Sequence, residues 1–537
     1  MNRECLGLSG TTVIEREFFM EWNIGCIVSK RSSATPDKVA MIYEGRSITY
    51  RELNERTNRV AAFLQARGLK NGDRISVLML NCPELIEIYF AAAKLGIIFV
   101  PLNFRLVGPE LEYQINNCDS RLLVFHDCLL KNIEPILSTI HISQDSFLFK
   151  KSGETDCPRC PDWTLDYDDV MGAYPVDEPL PERPVLMDDP LAILYTSGVT
   201  GLPKGAVLTH SQTFFKNFQI IIYTDMRSDD VFLSQLPLFH SGGLFITATP
   251  VFCRGATLIA RRKFNAVQFA EDIERYRATI VFALTTMWRF IIQSGRLDEV
   301  DTGSVRVTMG GGERTPLTLF DELAKRGIHL QNGFGQTENS YMTLMPAECI
   351  HLKKGSIGKP GFFTNLEIQD RNGNRCPPGA IGEIVAKGPT VMSGYWKLPD
   401  ETAKAITNGV LHTGDYGYMD EDGFFYIVDR VKDMYRTGGE NVYPAEIEKV
   451  LASHPKIFNV SIIGVPDEKW GETGMAFIIP EEGEHLTLNE VHDFLKGKVA
   501  KYKFPTQVKF VDQLPLTATG KIMKVRLKEK YGVRLDA

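Results

Sequence analysis

Apolar and polar positions alternate in blocks along the first part of the chain, and the blocks predict alternating helices and strands. Thr49-Tyr50-Arg51-Glu52 has the spacing of a capping box, so a helix opens there and runs towards Arg67, with Gly68 as its stop. Arg74 to Leu80 reads as a buried strand, Pro83 to Leu95 as a helix ended by Gly96, and Ile97 to Val100 as the next strand. Such a β-α-β order favours a parallel sheet with helices on its faces. The pattern returns after residue 190, where Pro190 to Leu194 reads as a strand, and Val305 to Met309 reads as a strand running into Gly310-Gly311-Gly312. Residues 151–190 are rich in Pro and Asp and read as a long surface connection.

A change comes at Asp429-Arg430-Val431-Lys432-Asp433, after a strand over Gly423 to Val428. Beyond it the chain carries its own α+β pattern. Pro444 to Leu451 and Leu488 to Leu495 read as helices, and Val460 to Val465 and Met475 to Ile479 as strands. The predicted division is 1–429 and 430–537, with the charged run as hinge.

Bulk properties narrow the function. A chain of 537 residues is too long for one core. A net charge of −7 argues against nucleic-acid binding as the main role. No apolar run reaches transmembrane length, and Glu15-Arg16-Glu17 near the start is no secretory signal. The ten cysteines are scattered, with Cys157 and Cys160 as the lone C-x-x-C pair, so a cytoplasmic protein with reduced thiols is expected. Apolar residues from Phe18 to Trp22 leave room for a peripheral membrane contact or a buried N-terminal segment.

The segment with the clearest chemistry is Tyr195-Thr196-Ser197-Gly198-Val199-Thr200-Gly201-Leu202-Pro203-Lys204-Gly205. Three glycines within eight positions let backbone N–H groups converge on one anion, and the hydroxyls and Lys204 add donors and charge. A polyphosphate fits, although the spacing is not that of the P-loop. A plain surface turn is the alternative. Gly310-Gly311-Gly312-Glu313 gives a flat base room against the backbone, or forms a simple turn. Asn332-Gly333-Phe334-Gly335-Gln336-Thr337-Glu338, after a strand over His329 to Gln331, offers an aromatic face, a hydroxyl and a carboxylate. A carboxylate beside phosphates suits Mg²⁺; a helix-start acid is the alternative for Glu338. Asp415, in His412-Thr413-Gly414-Asp415, accepts ribose hydroxyls or stabilises its turn. His240 ends a strand beside Gly242 and Gly243, as a functional or a packing histidine.

Together, in this order, these segments resemble the AMP-forming adenylate-producing enzymes, the superfamily of acyl-CoA synthetases, peptide-synthetase adenylation domains and firefly luciferases. The resemblance runs from about Asp37 to Lys528. Asp429 to Asp433 is similar to the family hinge motif, and Pro515-Leu516-Thr517-Ala518-Thr519-Gly520-Lys521-Ile522 to its terminal lysine motif. It implies an α/β fold: a large N-terminal domain of two α/β subdomains plus a β-barrel, and a small mobile α+β C-terminal domain. It implies ATP, Mg²⁺, coenzyme A and a carboxylic acid as ligands, in a monomer or homodimer without nucleic acid. The acid attacks ATP to give acyl-AMP and pyrophosphate, and a thiolate then attacks the acyl-AMP.

The resemblance also assigns residues. Thr196, Ser197, Gly198, Thr200, Gly201 and Lys204 hold the β- and γ-phosphates. Gly311, Gly312 and Glu313 border the adenine, Phe334 stacks on it, and Gly333 and Gly335 flank Phe334. Thr337 contacts the α-phosphate, Glu338 binds Mg²⁺, and Asp415 and Arg430 fix the ribose. Lys521 bridges the acyl carboxylate and the phosphate, and His240 orients the carboxylate. Phe239, His240, Gly242, Gly243 and Met287 line the acyl pocket. Rotation about Lys432 brings Gly438, Gly439 and Glu440 to the site, where paired glycines admit the pantetheine arm. Trp470-Gly471-Glu472 resembles CoA-forming members. The apolar and small pocket residues favour a fatty acid, with an aryl acid as the close alternative. A non-catalytic adenylate-binding scaffold is the remoter reading, opposed by the presence of Lys204, Glu338, Asp415, Arg430 and Lys521. One departure is Val199, where the family usually has threonine.

Overall fold

The computed structural model describes residues 22–143, 145–154, 158–196, 202–312, 315, 317–370, 372–430, 435–442, 444–515 and 524–531. Ser197, Gly198, Val199, Thr200, Gly201, Glu313, Lys432 and Lys521 lie outside the described residues, as does the segment Phe18 to Glu21.

Helix α1 (Tyr50–Ala66) opens where the Thr49 hydroxyl accepts the Glu52 N–H at 3.1 Å. The Glu52 carboxylate, expected to complete the capping box, pairs with Arg46, a charged partner. Helix α2 (Pro83–Leu95) has the predicted bounds, with Pro83 in its first turn and Gly96 at φ 69° as its cap. Of its residues only Glu84 is not fully buried, so its charges need partners. Arg56 reaches Glu87 at 2.6 Å, and Lys94 reaches Asn54, Asn58 and Glu178 at 2.6–2.7 Å.

Around α2, strands β1 (Arg74–Leu78) and β2 (Ile98–Pro101) pair in parallel, as the β-α-β reading requires. They sit in an eight-stranded sheet. Helix α3 (Gly108–Asn117) follows β2. Strands β3 (Pro190–Thr196) and β4 (Lys204–Thr209) pair antiparallel, with Thr196 opposite Lys204. The strands on either side of the glycine-rich segment are therefore direct neighbours, and helix α4 (His210–Thr224) follows β4. Part of the connection expected at the surface is packed: Trp163 stacks on Phe125 at 5.9 Å, and Tyr167 is buried in a short helix Tyr167–Met171.

A second sheet of nine strands forms the other α/β half. Helix α5 (Thr285–Gln293) packs beside it through Trp288, which is fully buried. Strands β5 (Val307–Gly311) and β6 (Leu330–Gln336) are parallel neighbours, and β7 (Ser340–Leu344) returns antiparallel. Here the strand readings are corrected. Gly310 and Gly311 lie inside β5, Asn332 to Gly335 lie inside β6, and the turn comes at Thr337 to Asn339. The glycines serve close approach: a Cβ on Gly335 would stand 1.8 Å from the Ser340 carbonyl oxygen, and one on Gly333 2.3 Å from the Tyr341 hydroxyl.

A five-stranded antiparallel sheet, including β8 (Val410–Met419) and β9 (Phe425–Arg430), stands where the barrel is expected. The C-terminal part has its own five-stranded sheet, with β10 (Glu440–Val442) followed by helix α6 (Pro444–Leu451). Its hub is Tyr435, 2% exposed, against which Gly464 and Gly474 bring the backbone so near that a Cβ would lie 2.2–2.3 Å from the side chain. Ala500 and Tyr502 carry this part onto the core around α3. No helix among the described residues is long and apolar enough to cross a membrane.

Candidate active site

The strand ends of both large sheets, the antiparallel sheet and the C-terminal part meet around one cavity of about 970 Å³. Thr196 and Lys204 line it from the two arms of the β3–β4 hairpin. The Lys204 ammonium is engaged by Glu401 and lies 5.2 Å from the centre of the Tyr395 ring. Hydrogen bonds from Lys204 and then Lys404 hold the Glu401 carboxyl down at about 2.

Thr337 and Glu338 enter from the β6–β7 turn. The Tyr395 hydroxyl donates to Glu338 Oε1 at 2.9 Å. Beneath them, Lys216 on α4 is fully buried with no hydrogen-bond partner for Nζ among the described residues. Burial pushes it down to about 7, against the opposing pull of Glu338.

Asp415 lies on β8 opposite Arg430 on β9. Gln336 Nε2 donates to Asp415 Oδ2 at 2.6 Å and to the Thr413 carbonyl at 2.8 Å, which fixes the carboxylate at the cavity wall. His412 pairs with Glu383 at 3.0 Å, and Glu383 also accepts the Gly414 N–H at 2.9 Å. The adenine residues separate. Gly312 and Gly335 line the cavity, whereas Gly311, Gly333 and Phe334 do not. Phe334 is 6% exposed and belongs to the core, because the strand's alternation turns it away from the space that Gly335 faces. Gly311, at φ 144°, is placed by packing: a Cβ would stand 2.4 Å from the Gly333 carbonyl oxygen.

At the acid end His240, Gly242, Gly243 and Met287 line the cavity with Ile246 and Phe290. Phe239 does not; it is 6% exposed and packs edge-on against Phe104 at 5.2 Å, beside the His240 ring. Gly243 also has a packing duty, since a Cβ there would lie 2.2 Å from the Pro237 carbonyl oxygen.

The C-terminal part closes this end. Gly438 (φ 55°) and Gly439 (φ 83°) line the cavity. A Cβ on Gly439 would stand 2.6 Å from Leu284, and one on Gly438 3.1 Å from the Trp470 ring. Trp470 in turn packs edge-on against Phe290 of α5 at 6.1 Å. Glu440, 7% exposed, accepts from His240 Nε2 at 2.9 Å and pairs with Arg105. Burial alone would raise its carboxyl, but His240 and Arg105 outweigh that and hold it at about 2. Because a carboxylate only accepts, this contact fixes the proton on Nε2 of His240.

The sequence reading missed Arg105, Gln336, Tyr395 and Glu401. Arg105 and its partner Glu440 stand 335 positions apart, so no local pattern marks the pair. The C-x-x-C reading ends at one residue: Cys160 contacts the Thr164 hydroxyl at 3.2 Å, and Cys157 lies outside the described residues.

Comparison with known proteins gives a consistent match. Residues 28–396 match the family model "AMP-binding enzyme", and 446–521 match "AMP-binding enzyme C-terminal domain". A feruloyl-CoA synthase of Amycolatopsis sp is 36% identical over 505 residues, covering 94% of this chain and 98% of the relative. The long-chain-fatty-acid–CoA ligase FadD13 of Mycobacterium tuberculosis is 33% identical over 518 residues, covering 95% and 98%. Among solved structures, a double mutant of o-succinylbenzoate CoA synthetase from Bacillus subtilis, bound with its product analogue, superimposes with a TM-score of 0.83 at 30% identity, covering 94% and 98% of the chains. The same protein in complex with its acyl-adenylate intermediate gives 0.68, covering 94% and 97%.

Proposed function

The chain belongs to the AMP-binding enzyme family and is an AMP-forming acid–thiol ligase using ATP and CoA, and on that premise we propose that it ligates a fatty acid to coenzyme A through an acyl-adenylate. The observation that carries this reading is the meeting of two sets of residues in one cavity. Lys204, Glu338 and Asp415 line it, and so do Gly438, Gly439 and the His240–Glu440 pair.

In the first step the carboxylate attacks the α-phosphorus of ATP while negative charge grows on the phosphate oxygens, so fixed cations and donors matter more than a covalent nucleophile. Lys204 and the hairpin loop hold the terminal phosphates, and Thr337 contacts the α-phosphate. Asp415, steadied by Gln336, takes the ribose hydroxyls with Arg430. Lys521 bridges the two anions. Glu338 fits Mg²⁺, because one cavity-facing carboxylate beside phosphates is the donor set this ion accepts. When bound, the ion supplies charge neutralisation at the phosphates.

For the second step the C-terminal part turns about Lys432 and takes the arrangement described above. Gly438 and Gly439 leave a narrow passage for the pantetheine arm beside Trp470. His240, held by Glu440, keeps its ring fixed towards the acyl group. The buried free cysteines Cys26, Cys82 and Cys118 support a reducing, cytoplasmic setting.

Met287, Phe290 and Ile246 give the acid an apolar chamber, which supports a straight acyl chain. An aromatic acid is the second reading, favoured by the 36% identity to a feruloyl-CoA synthase. CoA-dependent AMP release over acetate, hexanoate, dodecanoate, palmitate, benzoate, a cinnamate and several amino acids tests both. A peak on a long straight-chain acid is expected. A peak on an aromatic acid replaces the substrate and keeps the mechanism. AMP release without CoA consumption overturns the thioester reading.

A further inference from the structure

Two short segments, 105–117 of the large domain and 440–451 of the C-terminal part, are joined twice. The first tie is Arg105 to Glu440. The second runs through a residue from a third segment. Lys503, 3% exposed, lies between Glu110 on α3 at 2.5 Å and Glu446 on α6 at 2.6 Å. Both carboxylates are buried, at 8% exposure each, and Tyr502 beside them packs against the cores of both parts. Glu110 has a further duty: its Oε2 accepts the Val107 N–H at 3.2 Å and caps α3.

We propose that Lys503 is a positioning residue for thioester formation, clamping α3 to α6 so that Glu440 reaches His240. The inference rests on the two-pose reading above. Its physical basis is the cost of the alternatives. Two carboxylates this close and this buried repel each other, and one ammonium between them serves both. Turning the C-terminal part away leaves Lys503 with Glu446, its partner on the same side, and exposes Glu110 to water. The clamp therefore adds weight to one pose without blocking the other. It lies outside the cavity lining, so it acts on the reacting groups from behind, through α6 and β10 and through its positive charge near Glu440.

Two isosteric variants separate the clamp from a plain stabilising role. Glu110→Gln keeps an acceptor for the Val107 N–H and breaks the Lys503 tie between the two parts, leaving Arg105 to Glu440 in place. Glu446→Gln breaks the tie within the C-terminal part and keeps the one between them. Two activities are read for each: ATP–pyrophosphate exchange, and thioester formation from supplied acyl-adenylate and CoA. For Glu110→Gln the expected result is at least a ~10-fold loss of thioester formation, from breaking one buried pair, with exchange kept or raised. Glu446→Gln weakens a pair that the C-terminal part keeps in both poses, so it stays within about twofold in both activities. Equal loss of both activities in Glu110→Gln, or selective loss in Glu446→Gln instead, overturns the proposal. Amide hydrogen exchange over α3 and 500–504 gives a readout independent of turnover: Glu110→Gln should speed it in both segments, and unchanged protection overturns the clamp. A wild-type enzyme that exchanges pyrophosphate but forms no thioester would refute the ligase reading while this exchange measurement still decides the clamp. If Glu110→Gln does not fold, Lys503→Met with rescue by Lys503→Arg repeats the test.

Discussion

His126 and His210 show how a single hydrogen bond sets a protonation state. Each ring accepts a backbone N–H on Nδ1, from Leu80 at 3.0 Å and from Ile24 at 3.1 Å. A charged imidazolium has no acceptor, so both rings must be neutral. Burial pushes both down to about 4, from an ordinary value of 6.5. The folded value lies below the unfolded one, so the stability these rings confer is complete above pH 6.5 and drains away as pH falls towards 4. At about 1.4 kcal/mol per unit, the loss is roughly 3 kcal/mol for each ring at most. Urea melts at pH 7 and pH 5 should show the drop, and His126→Asn with His210→Asn, which keeps an acceptor at each place, should flatten it. An undiminished slope in that double variant would assign the acid sensitivity to other groups.

Elements were legible where the sequence carried their ends. α2 and α6 have the predicted bounds because proline opens each helix and, for α2, Gly96 closes it. β6 was not, since glycine usually signals a turn and here signals a neighbouring strand pressed close; the distinction lies in β7, which the local sequence does not contain. Phe334 followed the same error, because a residue read as part of a loop was placed in the site, whereas the alternation of a strand buries it. The site residues brought by motifs, Lys204, Glu338, Asp415, Gly438 and Gly439, do share one cavity, while Arg105 needed the fold. At this scale the hub of the C-terminal sheet is testable. Tyr435→Ala should destabilise that part by roughly 3–5 kcal/mol, as expected for an emptied aromatic site, and leave the large domain intact. Limited proteolysis should then cut within 435–515 first; simultaneous loss of both parts would show that they unfold as one.

For the molecule as a whole, one feature of the cavity bears on how ATP binds. Glu401 already occupies Lys204, the cation proposed above to hold phosphate. In terms of competition, this carboxylate is a tethered ligand whose effective concentration never falls, and on that proposal every ATP that binds must displace it. Such an occupant sets a floor under the apparent KM for ATP and spares the empty site an unpaired cation. Glu401→Gln should lower that KM by about two- to fivefold, the worth of a partly exposed pair, with kcat little changed. A KM that rises instead would mean that Glu401 helps to hold the nucleotide. The same tether would make the enzyme discriminate against any nucleotide too poor in charge to win Lys204 back, so that selection for a triphosphate begins before ATP arrives.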